Sequence, residues 1–238
     1  MTSASKLYIA IAVAGGALLA GAAWAQPPAP KKSGIEKEGY VWNAAEGEKL
    51  EALELTGNLE NGEEAYEVCS ACHLPSGAGR PDGTFPQLAG QHTTVVIKQI
   101  ADIREGLRDN PIMYPFAKTL VDPQELANVA AYIETLPIPQ DNGRGPGTNL
   151  ELGGKLYAEN CVECHGKQGE GDTVKFYPVL AGQHYKYMLR QITDIRDGRR
   201  RNANPDMVTV VKKYSDEELG AVVDYMSRLE WPERTAKK

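Results

Sequence analysis

The sequence predicts an all-α fold made of two tandem helical domains, because it shows an internal repeat, helical periodicity and a Pro/Gly-rich boundary. Four blocks of sequence recur, and such self-similarity indicates homologous structural units. The blocks occupy residues 69–73 and 161–165, 86–92 and 178–184, 99–106 and 191–198, and 110–113 and 204–207. The first three pairs are offset by 92 residues and the last by 94, so the second copy has gained two residues in an Arg-rich loop. Within each copy, apolar residues recur at helical spacing and strand-like alternation is almost absent.

The first helix of each copy leads into the first repeated block. Asn58 is a suitable N-cap for a helix that runs to Cys69. Thr148 is the corresponding candidate cap for a helix over residues 152–162. Both predicted helices therefore end at or next to the first cysteine of their copy.

The second helix of each copy is predicted from an apolar stripe. Residues 93–106 and 185–198 both place branched apolar side chains three and four positions apart, which is the pattern of an amphipathic helix. The Asn-Pro-x-Met block follows each stripe. We expect this block to form a loop between two helices.

The last helix of each copy has the clearest start signal. Asp122 is followed by Pro and then by Glu at the third helical position, and Ser215 is followed by three acidic residues. Both patterns are typical of capped helix N-termini. We expect these helices to run to about Leu136 and Leu229, because a Pro follows shortly after each.

The segments outside the repeats divide the rest of the chain. The N-terminus has the pattern of a secretory signal, with Lys6 before an Ala-rich apolar run and an A-x-A cleavage pattern. An uncleaved anchor is the alternative, and in either case the remaining chain is exported. The Pro-rich residues 27–34 are expected to be mobile, and residues 42–55 look helical but have no counterpart in the second copy. The predicted organisation is a signal peptide at 1–25, an extension at 26–57, domains at 58–137 and 148–231, a linker at 138–147 and a tail at 232–238.

The charge is unevenly distributed over a composition typical of a soluble globular protein. The net charge of −6 combines 10 basic and 18 acidic residues at 26–146, 15 basic and 14 acidic residues at 147–238, and Lys6. Such a dipolar molecule can be oriented as it approaches a charged partner, although an ordinary solvated surface is an equal alternative. Basic residues cluster only at 199–201, so nucleic-acid binding has little support.

All four cysteines lie in two C-x-x-C-H motifs, which predict covalent haem attachment. Cys69 and Cys72 precede His73, and Cys161 and Cys164 precede His165 at the same spacing. On a helix this spacing places both thiols at one porphyrin edge, while the imidazole reaches the iron. Disulfides, a zinc site or a thioredoxin-like pair are the alternatives. Disulfides leave the repeated His unexplained, zinc requires the two domains to converge, and thioredoxin requires a strand–helix–strand context.

The opposite iron ligand is predicted to be a methionine. Met113 is the only methionine of the first domain, and its repeat partner is Met207. Met188 and Met226 lie inside helical patterns and are expected to fill the core. The rival ligands are His92 and His184, which we expect instead to be exposed or hydrogen-bonded at a helix start. A thioether ligand favours ferrous iron, raises the potential relative to two histidines and closes the iron to substrates.

With these motifs the sequence resembles the class I c-type cytochromes and, as a tandem pair, the cytochrome c4 family. The resemblance covers residues 58–136 and 148–230 and is carried by the haem motifs, the Asn-Pro-x-Met blocks and the Pro-x-Leu-Ala-Gly-Gln blocks. It implies two cytochrome c-like helical domains, each around one covalently bound haem c, with the haem propionates near the domain interface. It also implies redox protein partners, with a quinol-oxidising complex or a dehydrogenase as donor and a terminal oxidase as acceptor.

The resemblance further implies that the carbonyl groups of Pro86 and Pro178 accept hydrogen bonds from Nδ1 of the two proximal histidines. Separately, Arg104 and Arg196 lie on the repeated helices. They are expected to pair with propionates or with the nearby Asp102 and Asp194, with a solvated surface position as an equal alternative.

These features favour a periplasmic electron carrier without a catalytic residue. A cytochrome subunit bound permanently to a dehydrogenase or oxidase is the first alternative, with the acidic extension as its docking surface. A dihaem peroxidase or thiosulfate dehydrogenase is less favoured, because the chain has no fifth cysteine and has a candidate methionine for each iron. Membrane contact is expected only through an uncleaved signal.

Overall fold

The computed structural model describes residue 35 and residues 38–231, and it confirms the predicted all-α fold. Apart from an isolated bridge between Asp172 and Tyr177, this part of the chain contains no strand. Its helices are α1 Gly47–Glu54, α2 Leu59–His73, α3 Thr93–Arg104, α4 Tyr114–Ala117, α5 Pro123–Thr135, α6 Leu150–Asn160, α7 Val162–His165, α8 Tyr185–Arg196, α9 Pro205–Val211 and α10 Asp216–Met226. The predicted signal at 1–25, the Pro-rich segment at 27–34 and the tail at 232–238 lie outside the described residues.

The order of helices repeats, as the sequence repeat predicts. Helices α2 to α5 of the first copy correspond to α6 and α7 together, α8, α9 and α10 of the second. In the first copy α2 packs on α5, and in the second α6 packs on α10. Helix α1 has no counterpart, and it packs against α3 and α5.

Each copy has its own apolar core. The first core is built around fully buried side chains of α3 and α5, including Ile97, Leu126 and Ile133. The second is built around α6 and α10, including Tyr157 and Leu219. Such cores hold the helices in one arrangement around a site because interiors are close-packed.

Two methionines belong to the second core, as predicted. Met188 on α8 is 6% exposed and Met226 on α10 is 3% exposed. Both pack among apolar side chains of this core, where flexible thioethers fill irregular gaps.

Three predicted helix starts are confirmed by cap hydrogen bonds. The Asn58 side chain accepts from the backbone N–H of Asn61, and the Asp122 side chain accepts from that of Gln124, each at 2.9 Å. Ser215 forms a complete capping box with Glu218. These bonds satisfy donors that the first helical turn leaves unpaired.

The start of α6 differs from the prediction. Thr148 is not the cap. The N-cap is Asn149, whose backbone is left-handed (φ 55°) and whose side chain makes no cap hydrogen bond. Asn adopts this conformation more readily than Thr because its short side chain is not β-branched. Helix α6 also ends at Asn160, so the second haem motif continues on the separate short helix α7.

Three further boundaries differ from expectation. Helix α10 ends at Met226, three residues before the expected position. Only Gly47–Glu54 of the segment expected to be helical at 42–55 is a helix. The Asn-Pro-x-Met blocks do not form simple loops, because Met113 directly precedes α4 and Met207 lies within α9.

No helix within the described ranges is long and apolar enough to cross a membrane. The stretch from 136 to 149 between α5 and α6 is neither helix nor strand. It is nevertheless held in place, because the Asn142 side chain donates to the backbone carbonyls of Gln183 and Ser227 at 2.7 and 2.9 Å.

Candidate haem sites and the interface between them

The four cysteines occupy equivalent places in the two copies. Cys69 and Cys72 lie in the last turns of α2, while Cys161 caps the end of α6 and Cys164 lies in α7. All four are free thiols, so the structure gives no support to a disulfide framework. Among the described residues there is also no cluster of three or more His, Cys, Asp or Glu that would hold a metal ion, and zinc has no support either.

The adjacent histidines have the tautomer that a metal ligand needs. His73 is 4% exposed, and its Nδ1 lies 2.9 Å from the carbonyl oxygen of Pro86. His165 is 8% exposed, and its Nδ1 lies 3.3 Å from that of Pro178. A carbonyl only accepts, so Nδ1 carries the proton and Nε2 keeps its lone pair. Burial lowers the pKa of both histidines, which keeps the rings neutral.

These residues fit a covalently attached haem. Within the described part of the chain, no protein group is hydrogen-bonded to Nε2 of either ring, so that atom is available to iron. In each copy, two free thiols on the same short stretch of backbone accompany such a ring. Thiol addition to the porphyrin would use the cysteines, and the imidazole would supply one axial position.

The predicted methionines lie at matching positions next to short helices. Met113 precedes α4, and its backbone N–H donates to the side chain of Asn110 at 3.2 Å. Met207 is the third residue of α9, whose N-cap Asn204 accepts through its side chain from the backbone N–H of Asp206 at 2.8 Å. Both methionines are half-buried and pack at the edge of an apolar cluster. The same Asn-Pro turn therefore presents a thioether in both copies.

The rival histidines have other bonding partners. His92 precedes α3 and His184 precedes α8, and both are buried. His184 accepts from the backbone of Gly143 through Nδ1 at 3.1 Å, so its Nε2 donates to the carbonyl of Ala78 at 2.8 Å. With both nitrogens engaged, His184 has no atom left for a metal.

His92 makes the matching contact in the opposite direction. Its Nε2 lies 2.8 Å from the carbonyl oxygen of Glu170, and its Nδ1 lies 3.5 Å from the Glu134 carboxylate. Ala78 and Glu170 are themselves repeat equivalents, 92 residues apart. Each histidine thus reaches from its own domain to the same backbone position of the other, which explains why it is repeated.

Two glutamines extend this reciprocal contact. The Gln91 side chain accepts from the backbone N–H of Val179 at 2.9 Å and donates to its carbonyl at 3.2 Å. The Gln183 side chain does the same to Gln87, at 3.0 and 2.9 Å. The Pro-x-Leu-Ala-Gly-Gln-His block is therefore the surface by which each domain binds the other, about a pseudo-twofold axis.

Arginines missed by the sequence analysis complete the interface. Arg108 and Arg200, also 92 residues apart, each donate to the side-chain oxygens of both Gln99 and Gln191 at 2.9–3.0 Å. Burial lowers the pKa of Arg200 to about 10. The offset of 92 was the signal that would have identified this pair.

The two arginines that were expected to pair with propionates or with Asp102 and Asp194 do not pair with these aspartates. Arg104 contacts Glu48 of α1 and the backbone carbonyls of Ala117 and Leu120. Arg196 pairs with the carboxylates of Asp197, which follows α8, and of Asp216, the first residue of α10. Each arginine is the last residue of its helix, where the helix dipole favours a cation.

Comparison with known proteins identifies the family. The model of the family "Cytochrome c" matches the chain twice, at residues 59–137 and 150–230. The curated cytochrome c4 of Azotobacter vinelandii is 34% identical over 190 residues, which cover 73% of this chain and 90% of the relative. The chain belongs to the cytochrome c4 family.

Two further comparisons agree with this assignment. A thiosulfate dehydrogenase electron acceptor of Stutzerimonas stutzeri (strain A1501) is 35% identical over 175 residues, covering 69% of this chain and 80% of that protein. The crystal structure of reduced recombinant cytochrome c4 from Pseudomonas stutzeri superposes with a TM-score of 0.65 at 29% identity, covering 74% of this chain and all of that one. As a cytochrome c4, the chain carries two covalently bound haem c groups and transfers electrons; it is not an enzyme.

Proposed function

We propose that the first haem is bound by Cys69 and Cys72 and ligated by His73 and Met113. The single observation that carries this assignment is the buried His73 ring, whose Nδ1 is bonded to Pro86 and whose Nε2 is left free. The second haem is bound by the repeat equivalents of these residues. They are Cys161, Cys164, His165, Met207 and Pro178.

The protein residues contribute orientation and tuning, while haem iron supplies the one-electron chemistry. The Pro86 and Pro178 carbonyls hold each imidazole ring at a fixed angle and raise its basicity. The methionine thioethers, as iron ligands, would favour the ferrous state and would leave no coordination position for a substrate. This combination suits transfer of single electrons without substrate binding.

An absorption measurement with three matched variants tests the ligand assignment. The oxidised wild-type protein should contain two haems per chain and show the weak far-red band of methionine-ligated ferric iron at two-site intensity. Met113→Leu and Met207→Leu should each halve that band. Met188→Leu, which removes the thioether of a core methionine, should leave it unchanged. A band that survives Met113→Leu or Met207→Leu at full intensity would contradict the assignment.

We further propose that the chain is exported and works in the periplasm between redox proteins. The domains are taken as residues 58–137 and 148–231, joined by the linker at 138–147 and preceded by a signal at 1–25. A quinol-oxidising complex or a dehydrogenase would donate electrons and a terminal oxidase would accept them. The relative named thiosulfate dehydrogenase electron acceptor supports a dehydrogenase as donor.

A permanently bound cytochrome subunit is the second candidate, since the same relative is named for its enzyme partner. The mass of the native protein in a periplasmic extract separates the two. A freestanding carrier elutes at the mass of the mature chain, whereas a subunit elutes with its partner. Recovery of the protein in the cytoplasmic fraction with its first 25 residues intact would contradict export.

A further inference from the structure

The N-terminal extension forms a strap, residues 40–54, that contacts both domains. It has no equivalent in the second copy, and the function described above does not use it. Its helix α1 packs on the first domain, and its Trp42 packs on the second. The strap is therefore added to a structure that is otherwise pseudo-symmetric.

Helix α1 is fixed to the first domain by ion pairs and by apolar packing. Lys49, only 5% exposed, donates to the Asp102 carboxylate at 3.2 Å, and Glu48 pairs with Arg104. Ala52 is completely buried in the first core. A helix held by a buried ion pair and by core packing positions the residues just before it.

Trp42 precedes α1 and lies on two aromatic residues of the second domain. Its ring is stacked on Tyr177, with centroids 6.3 Å apart and planes 10° apart. The edge of Phe176 meets the same indole at 6.3 Å and 83°. The ammonium group of Lys98 lies 5.1 Å from the indole centroid on the first-domain side, a cation–π contact.

Tyr177 is in turn the aromatic neighbour of His165, with ring centroids 6.3 Å apart. The equivalent pair in the first domain is Phe85 and His73, at 6.1 Å. There the guanidinium of Arg80 covers the outer aromatic ring at 5.9 Å. Both proximal histidines thus have an aromatic cover, and in the first domain that cover is itself backed by an arginine of the same domain.

The second domain lacks a matching arginine. The residue 92 positions after Arg80 is Asp172. Its carboxylate accepts from the backbone N–H groups of Val174 and Lys175, each at 2.9 Å, and does not cover Tyr177. Trp42 of the strap occupies the role that Arg80 has in the first domain.

The backbone beside Tyr177 has an unfavourable conformation at the residue that contacts the strap. Phe176 is left-handed (φ 59°), an unfavourable conformation for a bulky non-glycine residue. The corresponding turn of the first domain places its positive φ at Gly83 instead. The strained turn presents the Phe176 ring to Trp42.

We propose that Trp42 is a positioning residue that closes the outer face of Tyr177, excludes water from the proximal side of His165 and thereby raises the potential of the second haem. The inference rests on the proposed ligation by His165. Ferric haem carries more positive charge than ferrous haem, so a drier surrounding disfavours the ferric state. Admitting water beside His165 would lower the potential of this haem alone.

The test is a spectroelectrochemical titration of the full holoprotein in wild-type, Trp42→Ala, Trp42→Phe and Val41→Ala forms. Val41 is the matched control because it belongs to the strap and is 60% exposed. Met207→His identifies the redox step of the second haem, because loss of the thioether lowers the reduction potential of that haem. In Trp42→Ala we expect the ferric-to-ferrous ratio of the second haem at a fixed potential to rise about threefold, about 28 mV for one electron. Trp42→Phe should restore most of the wild-type value, and Val41→Ala should change nothing.

Two results would overturn the proposal. One is a Trp42→Ala protein in which the potential of the second haem is unchanged. The other is an equal shift in the potentials of both haems, which would indicate that the whole protein has become less tightly packed. Hydrogen exchange of the α1 backbone amides shows whether the strap stays docked in each variant. Failure of the underlying ligand assignment is recognised separately, because the wild-type far-red band would then lack its two-site intensity.

Discussion

Asp102 and Asp194 occupy the same repeat position in very different surroundings. Asp102 is 1% exposed and bonds to Lys49, Lys98 and Asn202, which come from the strap, its own helix and the other domain. Burial lowers the pKa of Lys98 to about 8, and Asp102 opposes that shift. The carboxylate is therefore the anion that allows two ammonium groups to be buried at this junction.

Asp102→Asn should destabilise the protein strongly. The amide keeps the shape but leaves two buried ammonium groups without an anion, and breaking a buried pair in this way costs about 3–5 kcal/mol. The measurement is urea unfolding of the holoprotein. The matched control is Asp194→Asn, whose partner Arg199 is 58% exposed and whose loss should cost about 0–1 kcal/mol. Equal costs for the two variants would contradict this account of the junction.

Glu134 is expected to make stability depend on pH in the acidic range. The neighbouring His92 ring and then hydrogen bonds from Thr93 lower the pKa of the carboxyl to about 2, although burial acts in the opposite direction. Because the pKa is lower in the folded state than the ordinary 4.5, the stabilisation is complete above pH 4.5 and is lost as the pH falls towards 2. Glu134→Gln should therefore cost about 1–2 kcal/mol at pH 7 and almost nothing near pH 2.

Thermal unfolding of wild-type and Glu134→Gln proteins at several pH values checks this expectation. Glu64→Gln is the control because Glu64 is exposed on α2. A difference between wild type and Glu134→Gln that stayed constant from pH 7 to pH 2 would show that the carboxylate charge is not responsible.

At the residue scale, the sequence predicts candidate residues where a local motif carries the chemistry. The C-x-x-C-H spacing and the repeated methionine identify the candidate ligands, because few residue types bind haem iron. The roles of Arg108 and Arg200 depend on which surfaces meet across the domains, and no local pattern encodes that. His92 and His184 show the same limit, since only the fold reveals that they donate across the interface.

At the element scale, glycine sets how closely the main helices cross. A Cβ atom built on Gly62 of α2 would lie 2.2 Å from the carbonyl oxygen of Asn128 on α5. One built on Gly153 of α6 would lie 2.1 Å from that of Ala221 on α10. Both domains therefore use a glycine at the contact between the first and last helices, where backbone meets backbone.

Gly153→Ala should destabilise the second domain even though alanine is the better helix former. The added methyl group must push α6 away from a backbone carbonyl that cannot move by itself, and overpacking of this kind costs about 1–3 kcal/mol. Gly220→Ala on α10 is the matched control. Its Cβ would meet nothing closer than the Tyr185 hydroxyl at 3.7 Å, so helix propensity should make it about 0.5–1 kcal/mol stabilising. Chemical denaturation of both variants compares them, and stabilisation by Gly153→Ala would refute the close-contact explanation.

The helices were predictable where cap chemistry and periodicity agree, as at Asn58, Asp122 and Ser215. The start of α6 was not predictable in this way. Thr148 is a residue type that commonly caps helices, but the N-cap is Asn149, which has a left-handed backbone conformation. The break at Cys161 was not predictable from the motif either, since the first copy runs as one helix through the same motif.

At the scale of the whole molecule, the two domains meet through repeated residues, while the strap and the charge distribution break the symmetry. The repeat predicts two similar domains. It does not predict how the two domains bind each other. A repeated block that binds its equivalent in the other domain cannot be told from the sequence apart from a block that is repeated for another reason. The reciprocal contacts of Gln91 and Gln183 supply that missing information.

These reciprocal contacts should make the two domains unfold together. Gln91 and Gln183 each satisfy both backbone groups of a residue in the opposite domain, and Gln87 is only 4% exposed. Removing both side chains leaves four backbone groups without these partners, at about 1–3 kcal/mol for each one that stays buried. The interface energy is then small enough for the domains to separate before either unfolds.

Differential scanning calorimetry of the holoprotein measures this coupling. The wild-type protein should show one transition, and the double variant Gln91→Ala/Gln183→Ala should show two. The control is Gln124→Ala, which removes hydrogen bonds to Thr56 and Asn128 that do not cross to the second domain and should lower the transition temperature without splitting it. A double variant that still unfolds in a single transition would mean that the Arg108 and Arg200 contacts and the strap are enough to couple the domains.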